Sequence, residues 1–85
     1  MYYVYVLFSK KDKRLYIGYT NNLKRRIAEH KNGKVFATKY RRPLLLILYE
    51  AYIYWSDAKR REKYLKGGNG RALLKIQIRD ILGAI

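Results

Sequence analysis

Hydrophobic positions fall into six blocks along the chain. Tyr2 to Phe8 is aromatic and β-branched throughout, which predicts a strand. The polar run Ser9-Lys10-Lys11-Asp12-Lys13 reads as a turn, and Leu15 to Tyr19 resumes the strand pattern, so the two segments predict a hairpin. Asn21 or Asn22 is placed to cap a helix that runs to about Lys31 and stops at Asn32-Gly33. Leu23 and Ile27 mark its buried stripe, and Arg26 and His30 share the face beside it. Lys34 to Arg42 is a basic, irregular connection, and Arg42 before Pro43 is biased to an extended shape. Leu44 to Tyr54 follows as a third strand whose opening is apolar at every position, so cover on both faces is expected. Ser56 or Asp57 starts a second helix that reaches about Lys66. Gly67-Gly68-Asn69-Gly70 breaks the chain, and Arg71 to Ile85 predicts a last helix with Leu74, Ile78, Ile81, Leu82 and Ile85 at helical spacing. No repeat, linker or low-complexity tract divides the 85 residues, so a single domain over 1–85 is expected. The order β-β-α-β-α-α argues for an α+β fold, a small antiparallel sheet with helices packed on it.

Charge changes the picture most. Twenty Lys and Arg stand against six acids, a formal net charge of +14. A compact basic domain attracts polyanions, with nucleic acid first and an anionic membrane surface or an acidic protein as alternatives. Zero cysteines excludes disulfides and thiolate metal sites, and fits a reducing, cytoplasmic setting. Met1 is followed by Tyr2-Tyr3 rather than a cleavable leader, and Leu44 to Leu48 is far too short to span a bilayer. A membrane role is therefore not expected. A single histidine, His30, excludes a multi-histidine metal centre.

The acids are Asp12, Glu29, Glu50, Asp57, Glu62 and Asp80. Asp12 falls in a turn, Asp57 at a helix start, Glu29 and Asp80 on outward helix positions, and Glu50 within a strand. Glu62 lies four residues after Ala58 and three before Leu65, on the inward face of its helix. A carboxylate there needs a partner, either a cation ligand or an ion pair with one of the many basic side chains. Tyr3 and Tyr5 share one face of the first strand, and Tyr16 can face the same side from the second. Such phenols can position water or hold a phosphate oxygen, and equally they suit a half-wet strand. Lys24-Arg25-Arg26, Lys59-Arg60-Arg61 and Arg41-Arg42 are basic clusters that read as solvated faces meeting phosphates. The loop with Lys34, Lys39, Tyr40, Arg41 and Arg42 mixes cations with aromatics, a composition suited to a nucleic-acid strand or to a plain surface loop.

Taken together and in order, these residues resemble the GIY-YIG nuclease family. The resemblance rests on Tyr3-Val4-Tyr5, on the run from Leu15-Tyr16-Ile17-Gly18 to Arg26, on His30, and on the segment Ala58 to Lys66 around Glu62. Tyr5 and Tyr16 are eleven apart, as the family's two motifs require. The small standalone members, similar to the amino-terminal catalytic domain of the excision-repair excinuclease, are nearest in pattern. The resemblance implies a three-stranded antiparallel sheet flanked by helices, and hydrolysis of phosphodiester bonds in DNA, branched or damaged DNA included, with RNA left open. It implies one Mg²⁺ or Mn²⁺ ion and 5′-phosphate and 3′-hydroxyl products. Tyr5 and Tyr16 would line the site and handle the water, Arg26 would hold the scissile phosphate, His30 would stand near that phosphate, and Glu62 would bind the metal. Asn69 is the nearest candidate for a further family asparagine, although it sits closer to Glu62 than the pattern expects. Tyr3 stands where the first motif has glycine, and Tyr19 is bulky beside the second. With no second domain in the sequence, a targeting protein partner is a further expectation.

Overall fold

The structure is a computed structural model that describes residues 1–85. Three strands, β1 (Tyr2–Ser9), β2 (Leu15–Thr20) and β3 (Leu44–Tyr52), form one antiparallel sheet in the order β2-β1-β3. The helices are α1 (Leu23–Lys31), α2 (Trp55–Lys66), α3 (Gly68–Gln77) and α4 (Arg79–Ala84), with one 3-10 turn over Lys39–Arg41. The α+β class and the order β-β-α-β-α-α are as expected, with the last helix realised in two pieces.

Strand alternation sorts the side chains into two layers. Val4, Val6 and Phe8 of β1 and Leu15 and Ile17 of β2 join Ala58 and Leu65 of α2 and Leu74 and Ile78 in the larger core. Tyr5 and Leu7 face the other way, with Leu44, and meet Tyr16, Leu23, Ile27 and Leu46 beneath α1. β1 is the central strand, and Val4, Tyr5, Val6 and Leu7 are each 1% exposed, because both its faces are covered. The apolar opening of β3 serves both layers. Leu44 and Leu46 enter the smaller core, Leu45, Ile47 and Leu48 the larger. An irregularity between Val6 and Leu7 gives β3 one extra residue, Ile47, which lets Ile47 and Leu48 both reach the larger core.

Three boundaries differ from the sequence pattern. β3 ends at Tyr52 rather than Tyr54: Tyr52, opposite Tyr2, is its last residue paired with β1. Ile53 and Tyr54 are accordingly exposed, and α2 begins already at Trp55. The glycine run breaks the chain only at Gly67; Gly68 already opens α3. A side chain at Gly70 would strike the Tyr64 carbonyl, so glycine is what allows α3 to start this close to α2. The expected helix to Ile85 bends at Ile78, whose φ and ψ of −108° and 28° leave the helical range. The bend keeps Ile81 and Leu82 against the larger core.

Candidate active site

Four of the expected site residues sit on the α1 side of the sheet. Asn22 caps α1 by accepting the Arg25 amide at 3.1 Å, and this fixes the phase that aims Arg26 and His30 at β1. Tyr5 projects from β1 across Gly18 of β2. A side chain at Gly18 would collide with the Tyr5 ring, so the glycine of the second motif is what makes room for the phenol. The rings of Tyr5, Tyr16 and His30 form a triangle with centroid separations of 6.4, 5.4 and 5.2 Å.

His30 is completely buried, and both its ring nitrogens are used. Nε2 lies 2.7 Å from the Tyr5 hydroxyl and Nδ1 lies 2.7 Å from Oγ1 of Thr38. Each hydroxyl can donate or accept, so either neutral tautomer satisfies the chain. Burial, reinforced by the Arg26 charge, lowers His30 to about 4, so the ring is neutral at pH 7. The resemblance places His30 near the phosphate. In the structure it stands behind Tyr5, with no surface of its own, and orients that phenol.

Burial likewise pushes Tyr5 up to about 12. The Arg26 guanidinium draws it down, while Tyr16 and the Glu62 carboxylate push it further up. Arg26 therefore stands beside the Tyr5 hydroxyl, and it also donates to Glu29 at 3.1 Å. Tyr16 is only half-buried and lines an open groove at the β2 edge. Of the two phenols, Tyr16 is the one open to solvent.

Glu62 comes from the other side of the sheet. It is 8% exposed on the inward face of α2, between Ala58 and Leu65. Lys59 donates to one carboxylate oxygen and Lys66 to the other, both at 2.9 Å. Burial pushes Glu62 up, but these two ammonium groups outweigh it and hold the carboxyl below its usual range. Lys66 lines the same groove as Tyr16, while Glu62, held between its two lysines, does not itself line it. No three of His, Asp and Glu gather anywhere in the fold. A lone carboxylate such as Glu62 would suit an ion that keeps most of its waters and takes phosphate oxygens. Tyr19 faces the opposite layer from Tyr16, stacks on Tyr2 at 6.4 Å and carries Lys59 over its ring at 4.8 Å.

This arrangement, two phenols and an arginine joined over a motif glycine with a carboxylate helix beside them, agrees with the chain's likeness to known proteins. The GIY-YIG catalytic domain profile matches residues 1–75. The chain belongs to the GIY-YIG family. The family is one of nucleases acting on nucleic acids. Among relatives, a UPF0213 protein of Staphylococcus haemolyticus is 42% identical over 76 residues, 88% of this chain and 92% of that one. A UPF0213 protein of Clostridium perfringens is 43% identical over 67 residues, 78% of this chain and 71% of that one. The solution structure of the UPF0213 protein BH0048 of Bacillus halodurans superposes with a TM-score of 0.60 at 30% identity, covering 99% of this chain and 94% of that one. The resemblance to small standalone GIY-YIG proteins is thus shown.

The remaining expected contacts scatter around this GIY-YIG site. Lys24 lines a groove with Tyr3 and Asn22 over α1, and Arg25 is exposed beside it. Lys34 is exposed, while Lys39, Tyr40 and Arg42 line a second basic groove near Pro43. The Lys39 ammonium sits over both Phe36 and Tyr40, at 5.0 and 4.9 Å. Arg41 is spoken for: it donates to Asp12 at 2.6 Å and its carbonyl accepts from Ser9, so it ties the basic loop to the hairpin. Arg41 also draws Asp12 down to about 2. Asn69 lines a crevice with Lys63 and Tyr64 that contains neither tyrosine of the site. Thr38 carries no sequence signal, since a threonine in a polar loop looks solvated; only the fold buries it against His30. No helix is long and apolar enough to cross a membrane.

Proposed function

We propose that this chain is a metal-dependent endonuclease that hydrolyses phosphodiester bonds in DNA, leaving 5′-phosphate and 3′-hydroxyl ends. The observation that carries the reading is the placement of Tyr5, Tyr16 and Arg26 in one cluster whose glycine, Gly18, is sterically required. Mg²⁺ or Mn²⁺ held by Glu62 would supply Lewis-acid stabilisation of charge on the phosphate and the leaving oxygen.

The chain's own residues do the rest. Arg26 holds a non-bridging oxygen of the scissile phosphate and stabilises charge as it develops there. Tyr16, reachable from solvent, acts as its phenolate: its own proton is first given to solvent, and the phenolate oxygen then orients the attacking water toward phosphorus and takes up its proton. Tyr5, held protonated in the resting protein by burial, fixes the position of Tyr16 and Arg26. His30 stays neutral and holds the Tyr5 hydroxyl, and Thr38 holds His30. As water attacks, the bond from phosphorus to the 3′ oxygen breaks, and that oxygen keeps the electron pair and takes a proton from solvent to become the 3′-hydroxyl.

A second reading, a basic nucleic-acid-binding module with vestigial or partner-dependent activity, is favoured by one observation. Both Glu62 oxygens are already taken by lysines. The two readings part in a single assay: branched, nicked and single-stranded DNA incubated with Mn²⁺ and wild-type protein or Glu62→Ala. Cleavage by wild type alone, with equal binding by both, supports the enzyme. Intact substrate with both proteins, at undiminished binding, would leave only the binding module.

A further inference from the structure

The β1–β2 turn, the outer edge of β2, the end of α2 and the first turn of α3 surround the groove that Tyr16 lines, an open space of about 500 Å³. Arg14, Arg41, Lys66 and Arg71 line it against one carboxylate, Asp12. Two of these cations are committed, Arg41 to Asp12 and Lys66 to Glu62. Arg14 and Arg71 form no ion pair. The Nε–H of Arg71 is shut off from water and meets no acceptor, the one buried side-chain donor in the protein left so. Buried polar groups are otherwise nearly always paired. This enclosed Nε–H is not itself open to the groove; Arg71 would meet a ligand there through its other guanidinium N–H groups, as would the exposed Arg14 through its own. Arg26 does not line this groove, so its cations are additional to the one assigned to the scissile phosphate.

We propose that this groove holds a second phosphate of the same nucleic-acid strand, adjacent to the one at Tyr16 and Arg26, with Arg14 and Arg71 as its ligands. An arginine pair matches a phosphate in both charge and hydrogen-bond geometry. The groove is open rather than enclosed, so a strand can enter and leave it, and Tyr16, one of its lining residues, joins it to the Tyr5–His30 cluster. The place of that second phosphate rests on the nuclease reading; the binding itself does not.

The test is equilibrium binding in EDTA, where no cleavage occurs, using a fluorescently labelled single-stranded oligodeoxynucleotide over a range of salt. The Arg14→Gln/Arg71→Gln double variant should bind about tenfold more weakly. Its slope of log affinity against log salt should be shallower by about 0.7, the contribution of one phosphate on a single strand. Arg14→Lys/Arg71→Lys should restore the slope but only part of the affinity, because lysine keeps the charge and loses the fork. A charge-matched Lys75→Gln/Arg79→Gln variant should change affinity less than about twofold, since neither residue lines the groove. Equal losses in the two glutamine variants would mean diffuse charge and no site. Unchanged affinity and slope in Arg14→Gln/Arg71→Gln would also overturn the proposal. Wild type that binds in this way yet never cuts with Mn²⁺ would remove the nuclease reading and leave the groove standing.

Discussion

The Tyr5 hydroxyl stands 2.7 Å from Nε2 of His30, and neither side chain has more than 1% of its surface in solvent. A phenol and an imidazole so enclosed are dependent on each other for their hydrogen bonds. The far nitrogen of the imidazole is closed by Thr38, so a residue of the basic loop governs a residue at the centre of the sheet.

Thr38→Val keeps the shape of the side chain and deletes its hydroxyl, leaving Nδ1 of His30 buried and unpaired. The loss should be about 1–3 kcal/mol of stability in urea unfolding. Cleavage should fall chiefly in kcat, with KM little changed, and Thr38→Ser should recover most of both. A Thr38→Val protein as stable and as active as wild type would show that the bond is incidental.

His30 makes stability depend on pH above the carboxylate range. Its folded pKa, about 4, lies below the ordinary value, so the folded state binds a proton less readily than the unfolded one. The full contribution is present above about pH 6.5 and is lost as pH falls toward 4, on the order of 3 kcal/mol in all. Urea midpoints measured at pH 7 and pH 4.5 should therefore converge between wild type and His30→Gln at the lower pH. Parallel pH dependence in the two proteins would contradict this account.

Gly18→Ala should cost about 1–3 kcal/mol and displace the Tyr5 ring, because the added methyl has no space in a sheet covered on both faces. Gly68→Ala serves as its control. Nothing lies within 4 Å of a methyl there, so it should change stability by less than about 1 kcal/mol. Similar denaturant midpoints for the two variants would show that the Tyr5 contact can relax.

Lys59→Met/Lys66→Met removes both ammonium groups that occupy Glu62. A divalent ion approaching Glu62 is repelled by two positive charges in the native protein and by neither in the variant. Mn²⁺ affinity in the absence of nucleic acid, followed by calorimetry, should rise about tenfold or more. Adding Glu62→Gln should abolish that gain. If the triple variant binds Mn²⁺ as well as the double, the ion is held elsewhere.

How much of this was legible in the chain depends on what each feature requires. The spacing of Tyr5 and Tyr16, the cap at Asn22 and the phase of Glu62 between Ala58 and Leu65 are local, because strand alternation and the helical repeat fix which face each side chain takes. The end of β3 was not local: its last paired residue, Tyr52, lies opposite Tyr2 at the start of β1. The bend at Ile78 escaped for the same reason, since it answers to the sheet against which Ile81 and Leu82 pack.

The sequence alone thus determined the element order, the charge, the motif residues and the family they signal, all of which are set by residue type and short-range spacing. Only the tertiary structure decided that His30 turns inward, that Thr38 closes its far nitrogen, and that Arg41 is consumed by Asp12 while Arg14 and Arg71 remain uncommitted. Those outcomes depend on which distant segments meet. Burial and hydrogen-bond competition settle them once the chain has closed on itself, and no run of neighbouring residues encodes them.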